Sequence, residues 1–262
     1  DHMQFLGNTV REIAGEKAGI IVPGVPVIYD GNDKDAAEVI AAKAKELGSP
    51  AYKVVQAGAK VLGNNKDGID FSLEDDYYGD TRFHIPFIAW YQVMNASLAL
   101  TTMEVLKDRI PVTMEQLQAG IANTRWQGRM ETILPGVIVD GAHNEDGVRR
   151  FVETAERFQK EYPLTLLFSA VNDKDYQDMI HTICSRIKFR KVVTTEVGGY
   201  REVPSAELAE IFCKEGCKEV GNSDNIEEAF HMAHEAKGED GMLFCVGSLY
   251  LVGEIKTLLL KK

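Results

Sequence analysis

Polar residues follow an apolar run at Asp140-Gly141-Ala142-His143-Asn144, and their types could support chemistry. The run before them, Gly136–Asp140, is typical of a buried strand. An aspartate can bind a ribose hydroxyl, and histidine and asparagine can orient a polar substrate or a phosphate. A polar turn in which Asn144 or Asp146 caps the next helix explains the same residues. The pattern alone leaves both interpretations open.

Gly247-Ser248 stands in an equivalent place, between the apolar run Met242–Val246 and a final helical segment. The N-terminal end of a helix favours an anion, so Ser248 is a candidate ligand-binding residue, although helix capping alone explains it. Arg125 and Arg129 lie on either side of Gly128. An arginine at a domain junction can bind a phosphate, and a solvated or salt-bridged arginine is the common alternative.

Three other groups of residues have simpler explanations. Lys17 ends the first helical segment, where a cation complements the helix dipole. His231 and His234 have helical spacing that permits metal ligation, but no third ligand follows and a solvated face is favoured. Cys213 and Cys217 have no partner pair and read as reduced thiols.

The elements that must position these residues alternate between strands and helices from about residue 128 onward. This pattern predicts an α/β fold with a parallel sheet covered on both faces. The predicted strands are Gly136–Asp140, Leu164–Ala170, Lys191–Val197 and Met242–Val246. Ligands bind at the carboxyl ends of such strands. The DGAHN segment and Gly247-Ser248 are therefore expected at one edge of one sheet.

The first part of the chain is less regular, and the segment Asn123–Gly128 reads as a linker. We therefore divide the chain into residues 1–124 and 125–262. Helices are predicted over Asn8–Ala18, Asp33–Leu47, Ile88–Leu106 and Thr113–Ala122, strands over Val25–Asp30 and Tyr52–Gln56, and a hairpin over Lys60–Leu73. Neither a G-x-x-x-x-G-K-[ST] nor a G-x-G-x-x-G motif occurs in the printed sequence.

Composition excludes several classes of protein. The 262 residues carry a formal net charge of −11, which argues against nonspecific binding to nucleic acid or to a membrane surface. No apolar run approaches the length of a membrane span, and the 4 cysteines do not form a disulfide framework. We expect a cytoplasmic monomer. The opening Asp1-His2-Met3 suggests a piece of a longer protein, with residues from an expression tag as the alternative.

Several segments together resemble the folylpolyglutamate synthase/dihydrofolate synthase family, relatives of the Mur ligases. The resemblance runs along the whole chain, and the EKAGI and DGAHN segments are its most specific parts. The segments are Asp1-His2, Leu6–Thr9, Ile13–Ile21, Pro23–Val27, Tyr91-Gln92, Asn95-Ala96, Trp126–Glu131, Asp140–Asn144, Asp173–Asp175 and Gly247–Glu254. Gln127 stands where the family usually has proline, and Ala89-Trp90 where a glycine-containing pair is common, which affects only the expected local loop shape.

The resemblance implies that residues 1–124 are the latter part of a Mur-ligase-type ATPase domain. Residues 125–262 would then be the C-terminal Rossmann-like α/β ligase domain. The implied activity, in folate biosynthesis, is ATP- and Mg²⁺-dependent ligation of L-glutamate to folate or dihydropteroate through an acyl phosphate. Because the family's phosphate loop has no counterpart in the printed sequence, we expect the chain alone to be inactive.

The same resemblance assigns roles to individual residues. His2 would bind magnesium, and Lys17 would be the lysine that the family carbamylates. Asn95, Arg129 and Asp140 would contact ATP, whereas His143 and Ser248 would line the glutamate side. The alternatives are a Mur-type ligase that joins an amino acid to a nucleotide-linked peptide, and a non-catalytic α/β ligand-binding domain.

Overall fold

The computed structural model describes residues 7, 9–172, 175–199 and 202–260. The chain forms two compact units, Asp1–Thr124 and Arg125–Lys262, which are described separately below. Among the described residues, no helix is both long and apolar enough to span a membrane.

The first unit combines helices with two small sheets. Strands β1 and β2 pair in parallel, and β3, β4 and β5 form an antiparallel sheet in that order. The element bounds are α1 (Val10–Ala18), β1 (Val27–Asp30), α2 (Lys34–Glu46), β2 (Ala51–Val54), β3 (Ala59–Asn65), β4 (Gly68–Leu73), β5 (Phe83–Ile85), α3 (Tyr91–Val105) and α4 (Met114–Ala122).

Two helices of the first unit begin with reciprocal caps that the sequence encodes locally. Thr113 and Gln116 form the predicted capping box at the start of α4, each side chain accepting the backbone N–H of the other residue. Thr9 and Glu12 do the same for α1. Helix α3 begins at Tyr91 rather than at the predicted Ile88, although Ile88 is buried. An apolar run therefore extends beyond the helix here, because burial does not depend on helical backbone.

The second unit is an α/β structure built around one six-stranded sheet. Its elements are β6 (Glu131–Leu134), β7 (Val137–Asp140), α5 (Glu145–Phe158), β8 (Leu164–Phe168), α6 (Tyr176–Arg186), β9 (Phe189–Thr194), α7 (Ser205–Lys214), β10 (Val220–Asn222), α8 (Ile226–Lys237), β11 (Met242–Val246) and α9 (Leu249–Leu260). The strand order is β10-β9-β8-β11-β7-β6, and only the pairing of β6 with β7 is antiparallel. The predicted α/β fold with a mostly parallel sheet is confirmed.

The central strands explain why this sheet was predictable. Every residue of β7, β8 and β11 is buried, as expected for strands covered by helices on both faces. The sequence pattern missed β5, β6 and β10, which have three or four residues each. Such short strands depend on hydrogen bonds to a neighbour rather than on a long apolar run.

Candidate functional site

The ends of β7 and β11 lie side by side at the carboxyl edge of the six-stranded sheet. The two strands pair in parallel, with Val246 opposite Asp140. The DGAHN segment and Gly247-Ser248 therefore emerge from adjacent strands, although they are about one hundred residues apart in sequence. β11 lies between β7 and β8, and this insertion is the change of strand order at which α/β proteins place ligands.

Asp140 is a buried carboxylate that holds two loop segments. It is only 4% exposed. Its Oδ2 accepts the Met130 N–H at 2.8 Å, and its Oδ1 accepts the Ala142 N–H at the same distance. Burial raises the pKa of Asp140 to about 6, and these two N–H groups, with nearby Arg129 and His143, oppose the rise. Asp140 thus places a buried acid between the loop before β6 and the loop after β7.

Arg129 lies in a loop whose backbone is held on both sides. Gly128 has φ of +65° and Met130 has φ of +46°, a region that residues other than glycine rarely adopt. The Gly128 carbonyl accepts the Gly141 N–H at 2.8 Å. The side chain of Arg129 is half-buried and, within the described ranges, forms no hydrogen bond or ion pair. It is therefore a cation held close to the Asp140 carboxylate and available to an anion.

His143 is fixed in one orientation by its own loop. Its Nδ1 lies 2.6 Å from the Gly141 carbonyl oxygen, and since a carbonyl oxygen only accepts, Nδ1 carries the proton. In the neutral imidazole, Nε2 then has a lone pair that can accept a proton or a hydrogen bond. Asn144 caps α5 by accepting the Gly147 N–H at 2.8 Å. Within one loop, Asn144 caps a helix, while His143 Nε2 has no hydrogen-bond partner among the described residues.

Ser248 caps α9 and is 2% exposed. Its Oγ accepts the Tyr250 N–H at 3.1 Å, and its carbonyl oxygen accepts the Val252 N–H. Gly247 before it has φ of +111°, and a Cβ there would lie 2.0 Å from the Ser169 carbonyl oxygen. The predicted cap is therefore present, and the tight approach of β8 to this turn requires glycine.

Ser169 is a residue at this edge that motif reasoning passed over. It directly follows β8, and its buried Oγ has no hydrogen-bond partner among the described residues. The only signal in the sequence was one hydroxyl at the end of the apolar run Leu164–Ala170. Glu131 and Lys256 were missed as a pair, because 125 residues separate them in sequence.

The remaining predicted site residues belong to the first unit. Lys17 is exposed in the last turn of α1. Asn95 is exposed on α3, and its Nδ2 donates to Gln92 Oε1 at 2.8 Å. The predicted magnesium ligand His2 lies outside the described residues. In the described part of the chain, no three His, Cys, Asp or Glu side chains form a group that could hold a metal ion.

Comparison with known proteins shows what the second unit is similar to. Residues 128–249 match the family model described as Mur ligase, glutamate ligase domain. The chain is also 32% identical to the dihydrofolate synthase/folylpolyglutamate synthase of Bacillus subtilis, covering 98% of this chain and 60% of that protein.

Solved structures show the same similarity. The crystal structure of folylpolyglutamate synthase from Thermotoga maritima matches with a TM-score of 0.79 and 25% identity, over 96% of this chain and 58% of that one. A folylpolyglutamate synthase–AMPPCP complex matches with a TM-score of 0.74 and 27% identity, over 99% of this chain and 59% of that chain.

Residues 128–249 are therefore similar to the glutamate ligase domain of the Mur ligases. The chain is a homologue of the folylpolyglutamate and dihydrofolate synthases, as the motifs predicted. It spans about 60% of the length of the curated relatives it matches.

Proposed function

We propose that this chain forms part of an ATP-dependent ligase that adds L-glutamate to folate or dihydropteroate. One observation carries the proposal: a glutamate ligase domain gathers Arg129, Asp140, His143 and Ser248 around the ends of two adjacent strands. Asp140 and Ser248 are occupied by backbone N–H groups, whereas the Arg129 guanidinium and His143 Nε2 have no hydrogen-bond partner among the described residues. ATP as co-substrate is supported by the AMPPCP complex of a 27% identical relative.

The reaction proceeds in two steps that need different groups. A carboxylate oxygen of the folate attacks the γ-phosphorus of ATP, which forms an acyl phosphate and releases ADP. The amine of glutamate, after losing a proton, attacks the acyl carbon, and inorganic phosphate leaves. The first step concentrates negative charge on the phosphoryl oxygens. The second step requires an amine that is held close to the acyl carbon and freed of its proton.

The residues of the second unit fit these needs. The Arg129 guanidinium supplies positive charge to phosphoryl oxygens. The lone pair of His143 Nε2 can accept a hydrogen bond or a proton from the glutamate ammonium group. The N-terminus of α9, capped by Ser248, favours a carboxylate of glutamate. Asp140 keeps the Arg129 and His143 loops together, and its direct contact with ATP stays a prediction.

The proposed magnesium ligand and the proposed carbamylated lysine are both residues of the first unit. Bound Mg²⁺ would neutralise charge on the β- and γ-phosphates. His2 is its proposed ligand. Lys17 is exposed at the end of α1, which is compatible with carbamylation by dissolved CO₂. Asn95, at the first turns of α3, is proposed to contact ATP.

The test compares the 262-residue chain with the longest product of its gene. Phosphate release is measured with ATP, L-glutamate, and either dihydropteroate or a reduced folate. We expect turnover by the gene product and none above background by the chain alone, because side chains such as Arg129 do not replace a row of backbone N–H groups around a phosphate. Turnover that requires a nucleotide-linked peptide instead of a folate would favour the Mur-type alternative, and no nucleotide dependence would favour the binding domain.

A further inference from the structure

The loop that carries Arg129 is attached to α9 by an ion pair outside the predicted site. Lys256 Nζ lies 2.7 Å from Glu131 Oε1 and 3.0 Å from Glu131 Oε2. The two side chains are only 25% and 22% exposed. Glu131 Oε2 also accepts the Gly128 N–H at 2.8 Å. One carboxylate thus joins a helix to the backbone immediately before Arg129.

A second carboxylate holds the backbone immediately after Arg129. Asp140 Oδ2 accepts the N–H of Met130, so the amides on both sides of Arg129 are bound to carboxylates from different elements. The positive φ values of Gly128 and Met130 show why the backbone here needs these two hydrogen bonds. A residue such as Met130 persists in that region only where its surroundings fix it.

The position of α9 makes Glu131 a bridge between the two loops of the site. A Cβ at Gly128 would lie 3.3 Å from Val252 Cγ1 and 3.4 Å from Leu249 Cδ2, so the loop runs directly along the first turns of α9. Ser248 caps the same helix. The Glu131–Lys256 pair therefore fixes the distance between the Arg129 loop and the turn that ends β11.

We propose that Glu131 and Lys256 are positioning residues that hold the Arg129 guanidinium where it meets a phosphoryl group. This inference rests on the proposed role of Arg129. Lys256 holds the Glu131 carboxylate, the carboxylate holds the Gly128 N–H, and the fixed backbone sets the direction of the arginine side chain. A fixed backbone removes the cost of ordering the loop when the arginine binds an anion, so only the side chain itself remains to be ordered.

The test uses Glu131→Ala, Lys256→Met and the exchanged pair Glu131→Lys with Lys256→Glu. Asp240→Asn is the matched control, since it removes an exposed ion pair with Arg190 elsewhere in the same unit. Hydrogen exchange of the Gly128 amide is measured on the 262-residue chain and needs no activity. Steady-state kinetics are measured on the longest product of the gene.

We expect Glu131→Ala to accelerate exchange of the Gly128 amide by about 10-fold, the equivalent of about 1.4 kcal/mol. The same variant should lower kcat/KM for ATP by about 10-fold and change the KM for glutamate by less than about 2-fold. Lys256→Met should give smaller changes in the same direction. The exchanged pair restores the ion pair but presents an ammonium group to the Gly128 N–H, so it should not restore either measurement.

Several outcomes would overturn the proposal. Unchanged exchange at Gly128 in Glu131→Ala would show that the carboxylate does not hold the loop. Full recovery in the exchanged pair would reduce the contact to a stabilising ion pair. Faster exchange with wild-type ATP kinetics would show that positioning of Arg129 does not matter for ATP. Arg129→Ala separates these failures from that of the proposed function, because wild-type kinetics in that variant would remove the role of Arg129 itself.

Discussion

The carboxylate of Asp140 accepts the backbone N–H of Met130 at 2.8 Å, and Met130 has a φ of +46°. A buried acid at the end of one strand therefore stabilises an unusual backbone conformation at the entry to the neighbouring strand. The free energy of this arrangement depends on the protonation state of the acid, which makes it measurable.

Asp140 should make stability depend on pH. Burial raises its pKa from 3.8 to about 6, so between these values the folded protein binds more protons than the unfolded chain. The free energy of unfolding should then fall as pH rises from about 4 to about 6, by about 2 to 3 kcal/mol for this group. Denaturant melts of Asp140→Asn should lack this component. Asp240→Asn removes an exposed carboxylate and should keep this pH dependence. If the free energy of unfolding changed with pH equally in the unsubstituted protein and both variants, the prediction would be contradicted.

Gly247 should tolerate no side chain. A Cβ at this position would lie 2.0 Å from a backbone oxygen, and φ is +111°, so Gly247→Ala should reduce the free energy of unfolding by about 2 to 4 kcal/mol. Gly253→Ala is the control, because that helical glycine has open space around its Cβ position; it should stabilise by about 0.5 to 1 kcal/mol. Equal effects at the two positions would contradict the geometry of the turn.

Variants of His143 and Ser248 should distinguish a chemical role from a capping role. His143→Ala in the active gene product should raise the KM for glutamate more than the KM for ATP, since it removes the free Nε2. If capping is the whole role of Ser248, Ser248→Ala costs about 1 kcal/mol of stability and leaves kinetics unchanged. Thermal melts beside steady-state kinetics distinguish the cases. A lowered melting temperature with wild-type KM values for both variants would end the functional interpretation of this edge.

Lys17 should matter for turnover and little for stability. It is exposed at the end of α1, where a surface substitution changes stability by less than about 0.5 kcal/mol. In the active gene product, Lys17→Ala should depress turnover, and bicarbonate or short carboxylates should partly restore it. In the 262-residue chain we expect the unmodified amine, which mass spectrometry under native conditions checks. A carbamate there would contradict the expectation of an unmodified amine, and full activity of Lys17→Ala would count against the role of Lys17 in turnover.

Two thiols of the second unit should form a disulfide on oxidation. Cys184 Sγ lies 3.6 Å from Cys217 Sγ, and this contact lowers the pKa of Cys217. The Cys217 thiolate should attack oxidised glutathione and release one glutathione thiolate. The Cys184 thiolate should then attack Cys217 Sγ of this mixed disulfide, release the second glutathione thiolate and form the Cys184–Cys217 disulfide. Mass spectrometry should show a loss of two hydrogens that Cys184→Ser abolishes and Cys213→Ser retains. Equal oxidation of all four thiols would contradict the pairing.

The sequence by itself determined the parts of this protein that depend on local or short-range pattern. Strands β7, β8 and β11 were predictable because both of their faces are buried, which makes each a continuous apolar run in the sequence. The caps Asn144 and Thr113 follow from side chains that reach an amide three residues away. Motif resemblance predicted the relatives that the comparisons found, because DGAHN and EKAGI are specific strings.

Tertiary structure decided which groups meet. The sequence predicted that Ser248 and Asp140 share one sheet edge, but only the insertion of β11 between β7 and β8 makes their strands neighbours. Strand order depends on long-range pairing that no local pattern records. Tertiary structure also decided that Asp140 is buried and bound to two amides, and that Glu131 meets Lys256. Such contacts join residues far apart in sequence. Their free energy comes from desolvation and from geometry fixed by packing, neither of which exists before the chain has folded.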